Sequence, residues 1–336
     1  MVAYGHTLLM RTFDKKFITG SFLGLIIGFG VVYAYAYELS PTGKVTTSCI
    51  TQYKLTSQQL PCMTLDVQTD RLHALDTKLD NAVALYINEG KATKISIWVR
   101  DLNSSQYAST NETDTFAPAS LMKLPLMIAY FKIAELEPTI LTTQLTYAAT
   151  STLNDDTQDF PPAQVFVPGS KQTVEALIED MMINSDNNAT AVLLQHLDPQ
   201  ILQNTLIDLG IEIPQNTGTI DFVTVKSYGG IFRMLFNSSY LSRDFSEKAL
   251  EIMSGAAFKG LAAPLPPTLQ VSHKFGEREA VNPDGSIATR ELHDCGIVYN
   301  GTKPYSICIM TTGTDFSKLQ TVISDLSALT YNNLKV

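Results

Sequence analysis

The chain has 336 residues, 45% of them hydrophobic, with 24 basic and 33 acidic side chains and a formal charge of −9. This is enough apolar material for one large domain or two small ones, and it argues against long disorder. The acidic balance, without a Lys/Arg stripe interleaved with aromatics, excludes a nucleic-acid-binding class, and no solenoid or propeller repeat is present.

Residues 17–37 read FITGSFLGLIIGFGVVYAYAY, an uncharged run of 21 residues. At about 1.5 Å per helical residue this spans a hydrocarbon layer of roughly 30 Å. Arg11, Lys15 and Lys16 precede it, so residues 1–16 are expected as a cytoplasmic tail and the following chain outside. The form Ala34-Tyr35-Ala36 admits a second reading, a cleaved signal peptide. The first reading gives a single-pass protein of the cell membrane; the second gives a secreted one. Residues 38–65 then read as an extracytoplasmic stalk, and 66–336 as the main folded domain.

Export makes disulfides available to the four cysteines. Cys49 and Cys62 would close a small loop in the stalk. Cys295 and Cys308 flank GIVYNGTKPYSI, which reads as a hairpin. A turn at Gly301-Thr302 places these two cysteines opposite each other on neighbouring strands. No C-x-x-C or H-E-x-x-H occurs, so no metal site is expected, and no cofactor is expected either.

Further along, Leu72, Leu75, Leu79, Val83 and Tyr86 recur at helical spacing. KISIWVR follows, with Ile95, Ile97 and Val99 alternating as in a strand, and SSQYAST is its expected partner across a turn at 101–103. Helical patterns dominate from about residue 119 to 260, interrupted by the polar, Pro-containing stretch 151–171. Strand patterns return at LQVSHKFG, HDCGIVY and YSICIMTTG. A closing helix is marked by Leu319, Val322, Ile323, Leu326 and Leu329. Two early strands and three late ones, with helices between, predict an α/β fold whose single sheet is shared by both ends of the chain.

Three short stretches carry chemistry. In PASLMKLPL, Ser120 and Lys123 are three residues apart, so on a helix they share a face. Ser120 would lie in the first turn, where free N–H groups favour developing negative charge. A hydroxyl becomes a nucleophile when a base takes its proton, and a lysine serves as that base only when burial or a second cation lowers its pKa. The second stretch, MMINSDNNATAVLL, carries Ser185-Asp186-Asn187 in an apolar helical context where polar groups require partners. The third, VSHKFGE, ends a strand pattern with Lys274 and Gly276: a second cation, and a position where a ligand can approach the backbone.

S-x-x-K, S-D-N and K-x-G in this order resemble the active-site motifs of the penicillin-recognising serine enzymes, which comprise the class A β-lactamases and the D,D-peptidases or penicillin-binding proteins. The similarity runs from about Lys94 onward, and TVEALIEDMMINSDNNATAVLL and HDCGIVYNGTKPYSICIMTT resemble the class A branch. The resemblance implies a five-stranded antiparallel sheet with terminal helices beside an inserted all-helical lobe. It implies that Ser120 is acylated, that Lys123 is its base, and that Ser185 relays a proton to the leaving nitrogen. Asn187 would hold the substrate's amide side chain and contact Lys123. Lys274 would tune Ser185 and attract a carboxylate, and the N–H groups of Ser120 and Glu277 would form the oxyanion hole. The implied partners are β-lactams or a peptidoglycan stem peptide.

Two departures stand out. Phe275 occupies the place where the family carries a carboxylate-binding hydroxyl, so either the carboxylate is held by Arg278 or Arg290 or the natural substrate differs. No E-x-x-L-N follows S-D-N; the nearest pattern is EIPQN, with Glu212 as the candidate deacylating base. Without such a base the acyl-enzyme should persist, as in a penicillin-binding protein. Of the smaller signals, the sequons at Asn103, Asn111, Asn188, Asn237 and Asn300 read as chance matches. Tyr147 either walls the cleft or packs in the core. His273, His293 and Asp294 read as a buried polar contact. The alternative to an enzyme is an exported binding module that kept the fold and lost the chemistry.

Overall fold

The computed structural model describes residues 54–56, 71–148, 158–162, 166–215 and 218–334. The segment 17–37 and the pair Cys49 and Cys62 lie outside the described residues. Among the described residues no helix is long and apolar enough to cross a membrane.

The first helix, α1 (His73–Asn88), buries Leu75, Leu79 and Val83 along one face. It leads into β1 (Lys94–Asp101) and β2 (Tyr107–Thr110), which pair antiparallel. A two-residue strand, β3 (Thr115–Phe116), precedes a 3-10 turn (Ala119–Met122) and α2 (Lys123–Ala134). The helical lobe continues past a small ladder of β4 (Gln144–Thr146) and β5 (Lys171–Thr173). It then adds α3 (Val174–Ile183), α4 (Asn187–His196) and α5 (Pro199–Asp208). After β6 (Val223–Thr224), which pairs with β3, come α6 (Val225–Phe236) and α7 (Arg243–Ser254). The chain then forms β7 (Gln270–Val281), β8 (Ile287–Tyr299), β9 (Tyr305–Gly313) and α8 (Phe316–Leu334).

Five strands make one antiparallel sheet in the order β2-β1-β9-β8-β7, so the two ends of the chain share it as expected. Both faces are covered. Ile95, Ile97 and Val99 of β1 join the core that α1 and α8 close, whereas Trp98 belongs to the core of the helical lobe. The α/β architecture is therefore a sheet with terminal helices on one face and the inserted lobe on the other.

The late hairpin has the expected register. Cys295 is the Cα partner of Cys308 and the two are disulfide-bonded. Gly301, at φ 54°, turns the chain between β8 and β9, a left-handed conformation that costs glycine least.

β7 and β8 run longer than their apolar patterns suggest. Their outer halves form a polar ribbon in which Arg278 faces Glu291 and Glu279 faces Arg290. The ion pairs measure 3.5 Å (Arg278 to Glu291) and 2.7 Å (Arg290 to Glu279). Cross-strand opposite charges hold such a ribbon without a hydrophobic period.

The stretch read as a stalk is partly built into this fold. The backbone N–H groups of Lys54, Leu55 and Thr56 all donate to the carboxylate of Glu247 on α7. Leu55 is buried in the core of the helical lobe. Residues 54–56 therefore pack on the helical lobe, ahead of the boundary expected at residue 66.

Candidate active site

Ser120 does not open an α-helix directly. It lies in the 3-10 turn, and α2 begins at Lys123. Ala119, immediately before it, has φ 47°, a conformation that costs a non-glycine residue about 1 kcal/mol or more and persists only under constraint. The constraint is visible on both sides. His293 of β8 donates from Nε2 to Ala117 O at 3.0 Å, while its Nδ1 accepts from Thr311 N–H. Burial pushes His293 down to about 4, so the ring is neutral and this tautomer follows.

Gly276 of β7 closes the other side. A Cβ there would stand 3.1 Å from Leu121 N, from Leu121 Cγ and from Pro118 O. Glycine thus brings the edge strand against the turn that carries Ser120. The missing side chain of Gly276, expected to make room for ligand, also makes room inside the protein: it admits the turn that carries Ser120.

Lys123 is buried at the start of α2. Its Nζ donates to Ser185 O at 2.6 Å, Ser185 Oγ at 3.0 Å and Asn187 Oδ1 at 2.7 Å. Lys274 Nζ donates to the same Ser185 Oγ at 2.9 Å and to Phe275 O at 2.9 Å. The two amines therefore converge on one hydroxyl. Desolvation is the main cause that lowers Lys123, to about 7. Lys274 is held well below the ordinary lysine value by burial first and by the charge of Lys123 second.

Ser185 and Asp186 occupy the break between α3 and α4, not a continuous helix. Ser185 is left-handed at φ 58°. Asp186 caps α4 by accepting from Ala189 N at 2.9 Å, and its other oxygen accepts from Tyr147 Oη at 2.6 Å. Tyr147 is fully buried, so it supports the S-D-N turn from the core and does not wall the cleft. Asp180 of α3, which sequence reasoning passed over, interacts electrostatically with Asp186, and burial pushes its carboxyl up to about 7.

Ser120, Lys123 and Asn187 line one pocket of about 580 Å³, together with Gln158, Glu277, Arg278 and Glu279. No described residue hydrogen-bonds the Ser120 hydroxyl, and the three hydrogens of a protonated Lys123 go to Ser185 and Asn187. Ser185 and Lys274 lie behind the wall, sealed from solvent. Gln158 donates to Ser185 O at 3.1 Å. The Glu277 carboxylate accepts from the N–H groups of Asp159 (2.8 Å) and Phe160 (3.2 Å). These partners come from the polar stretch 151–171, whose sequence gives no periodic signal that could have placed them over the site.

The remaining candidates divide. Phe275 is turned away from the pocket and stacks on Phe258 with ring centroids 4.4 Å apart. Arg278 lines the pocket; Arg290 does not, but it pairs with Glu279, which does. Glu212 is exposed and lines a neighbouring groove rather than the Ser120 pocket, so the structure does not bring it to the nucleophile. His273 and Asp294 form a buried pair at 2.8 Å. His293, adjacent in sequence, points to the opposite face of β8 and is not part of that pair. Among the described residues no cluster of His, Cys, Asp and Glu could hold a metal ion.

Comparison with known proteins follows this geometry. No curated protein matches the chain. Among solved structures, PBP-A aligns at TM-score 0.64 and 20% identity, covering 80% of this chain and 98% of its own. A substituted PBP-A, solved as an acyl-enzyme complex with penicillin G, aligns at TM-score 0.63 and 19% identity, covering 80% and 98%. The TLA-3 extended-spectrum β-lactamase aligns at TM-score 0.64 and 19% identity, covering 77% and 99%. At these identities the likenesses establish the fold. The profile described as Beta-lactamase enzyme family matches residues 74–334, and the chain belongs to that family.

Proposed function

We propose that this chain is an extracytoplasmic serine acyl-transfer enzyme, tethered to the cell membrane through residues 17–37, whose Ser120 is acylated by β-lactams or by the D-Ala-D-Ala end of a peptidoglycan stem peptide. The observation that carries this reading is the convergence of Lys123 and Lys274 on Ser185 Oγ beside the pocket that Ser120 lines. Neutral Lys123 takes the Ser120 proton as Oγ attacks the carbonyl. In this reading Ser185, bonded to both amines, is the relay that returns a proton to the leaving nitrogen. The acyl-enzyme of the substituted PBP-A with penicillin G supports the ligand class.

Deacylation is slow in this reading. Of the described carboxylates lining the pocket, Glu277 is engaged by two backbone N–H groups and Glu279 by Arg290. Neither is free to activate water, and Glu212 lies elsewhere. The behaviour expected is that of a penicillin-binding protein more than of an efficient β-lactamase.

The test is labelling of the intact chain with a fluorescent penicillin, followed by mass spectrometry. A covalent adduct on Ser120 that persists for minutes, and that is absent in Ser120→Ala, is expected. Rapid disappearance of the adduct would establish hydrolysis. Absence of labelling in a folded protein would favour the binding module, to which the unpartnered Ser120 hydroxyl and Phe275 already point.

A further inference from the structure

The pocket that Ser120 lines has a neighbour. Leu194 and Leu202 line both it and a second groove of about 1050 Å³, so the two adjoin at these side chains. That volume matches a small-molecule site, about 300–1,000 Å³. The groove lies between the end of α4, the face of α5 and the loop that follows. Glu212 is the only charged residue among its described lining, and it is exposed. Large aliphatic side chains stand open there: Ile207 is 63% exposed, Ile213 53% and Leu194 45%. Contiguous open apolar surface of this kind marks a place that is covered in use.

Helix α4 connects the two cavities. Asn187, Thr190 and Leu194 fall at i, i+3 and i+7, so they share one face of α4, and all three line the Ser120 pocket. The track starts at Asn187, the partner of Lys123, and turns from polar to apolar as it reaches the groove. Proton return from Ser185 belongs to the leaving group, so the α4 track is left to the acyl half of a substrate.

We propose that the groove is the acyl-side subsite of this enzyme, and that its substrate is an ester or amide whose acyl half carries an extended, uncharged apolar arm. The inference rests on acylation at Ser120 as proposed above. In the reaction, Ser120 Oγ bonds to the carbonyl carbon, the bond to the leaving oxygen or nitrogen breaks, and the hydroxyl proton passes to Lys123.

The experiment uses p-nitrophenyl acetate, butyrate, hexanoate and octanoate with the intact protein, with the Ser120→Ala rate subtracted. Acylation should accelerate by about two- to fourfold per methylene buried, and the slope should fall by at least half in the double variant Ile207→Ser/Ile213→Ser. Both substitutions are at exposed positions, so the fold is not at stake. A flat series, or a slope unchanged in the double variant, overturns the proposal. Calorimetric binding of octanamide, whose apolar arm is on the acyl half, to Ser120→Ala separates the two readings. Octanamide binding that is weakened by the double variant, in a protein that no ester or penicillin acylates, supports the groove and overturns the acylation chemistry. Acylation with a flat series and no octanamide binding overturns the groove and leaves the chemistry intact.

Discussion

In the proposed reaction Lys123 is a proton acceptor, yet in the structure it gives all three of its hydrogens away. Both facts hold because burial lowers it to about 7. Protonated, the amine saturates Ser185 and Asn187. Deprotonated, it keeps two donors and gains a lone pair for the Ser120 proton. Since the neutral form is the active one, the acylation rate should rise about tenfold per pH unit below about 7 and level off above it. A chromogenic cephalosporin followed from pH 5.5 to 8.5 checks this, and a flat profile removes Lys123 as the base. Gly276 yields a second residue-scale prediction. In Gly276→Ala the new Cβ would stand 3.1 Å from Leu121 N and Pro118 O, so the turn 118–121 must give by a few tenths of an ångström, and misplacement of a reacting group slows its reaction. Acylation should therefore fall, by up to about tenfold, while the circular dichroism spectrum is retained.

At the scale of elements, the site is made where regular structure stops. Ser120 lies in a 3-10 turn after a left-handed Ala119, and Ser185 is left-handed in the break between α3 and α4. The sequence shows these stretches as apolar helical patterns, because periodicity records which face is buried and not where a helix is interrupted. The hairpin of β8 and β9 is the opposite case. Its alternation and turn residues specify the register, and the pairing of Cys295 with Cys308 follows directly. Closing a loop with a sequence separation of 13 should contribute about 2–4 kcal/mol. Cys295→Ala/Cys308→Ala should lose that amount in urea denaturation, with the α/β fold preserved by the sheet around it. The outer ribbon of β7 and β8 was not legible, since charged pairs across strands carry no apolar signal.

At the scale of the whole molecule, the sheet separates two cores, and the segment at 54–56 is pinned to the lobe side by Glu247. A chain beginning at residue 66 should therefore be less stable than one beginning at residue 38. Burial of Leu55 accounts for about 1.5–3 kcal/mol of the difference, which comparative urea denaturation measures. Equal stability would show that the contact contributes nothing. The sequence by itself determined the sheet's five strands, the helix faces, the 295–308 bridge and the grouping of Ser120, Lys123, Ser185, Asn187 and Lys274 as one candidate site, because these depend on local periodicity and short spacing. Only the tertiary structure decided that Gly276 admits the turn carrying Ser120, that Phe275 faces away, that Glu212 lies in another groove, and that Gln158 bonds Ser185 O while Asp159 and Phe160 hold Glu277. Those outcomes depend on which distant segments share a volume, and chain order does not encode that directly.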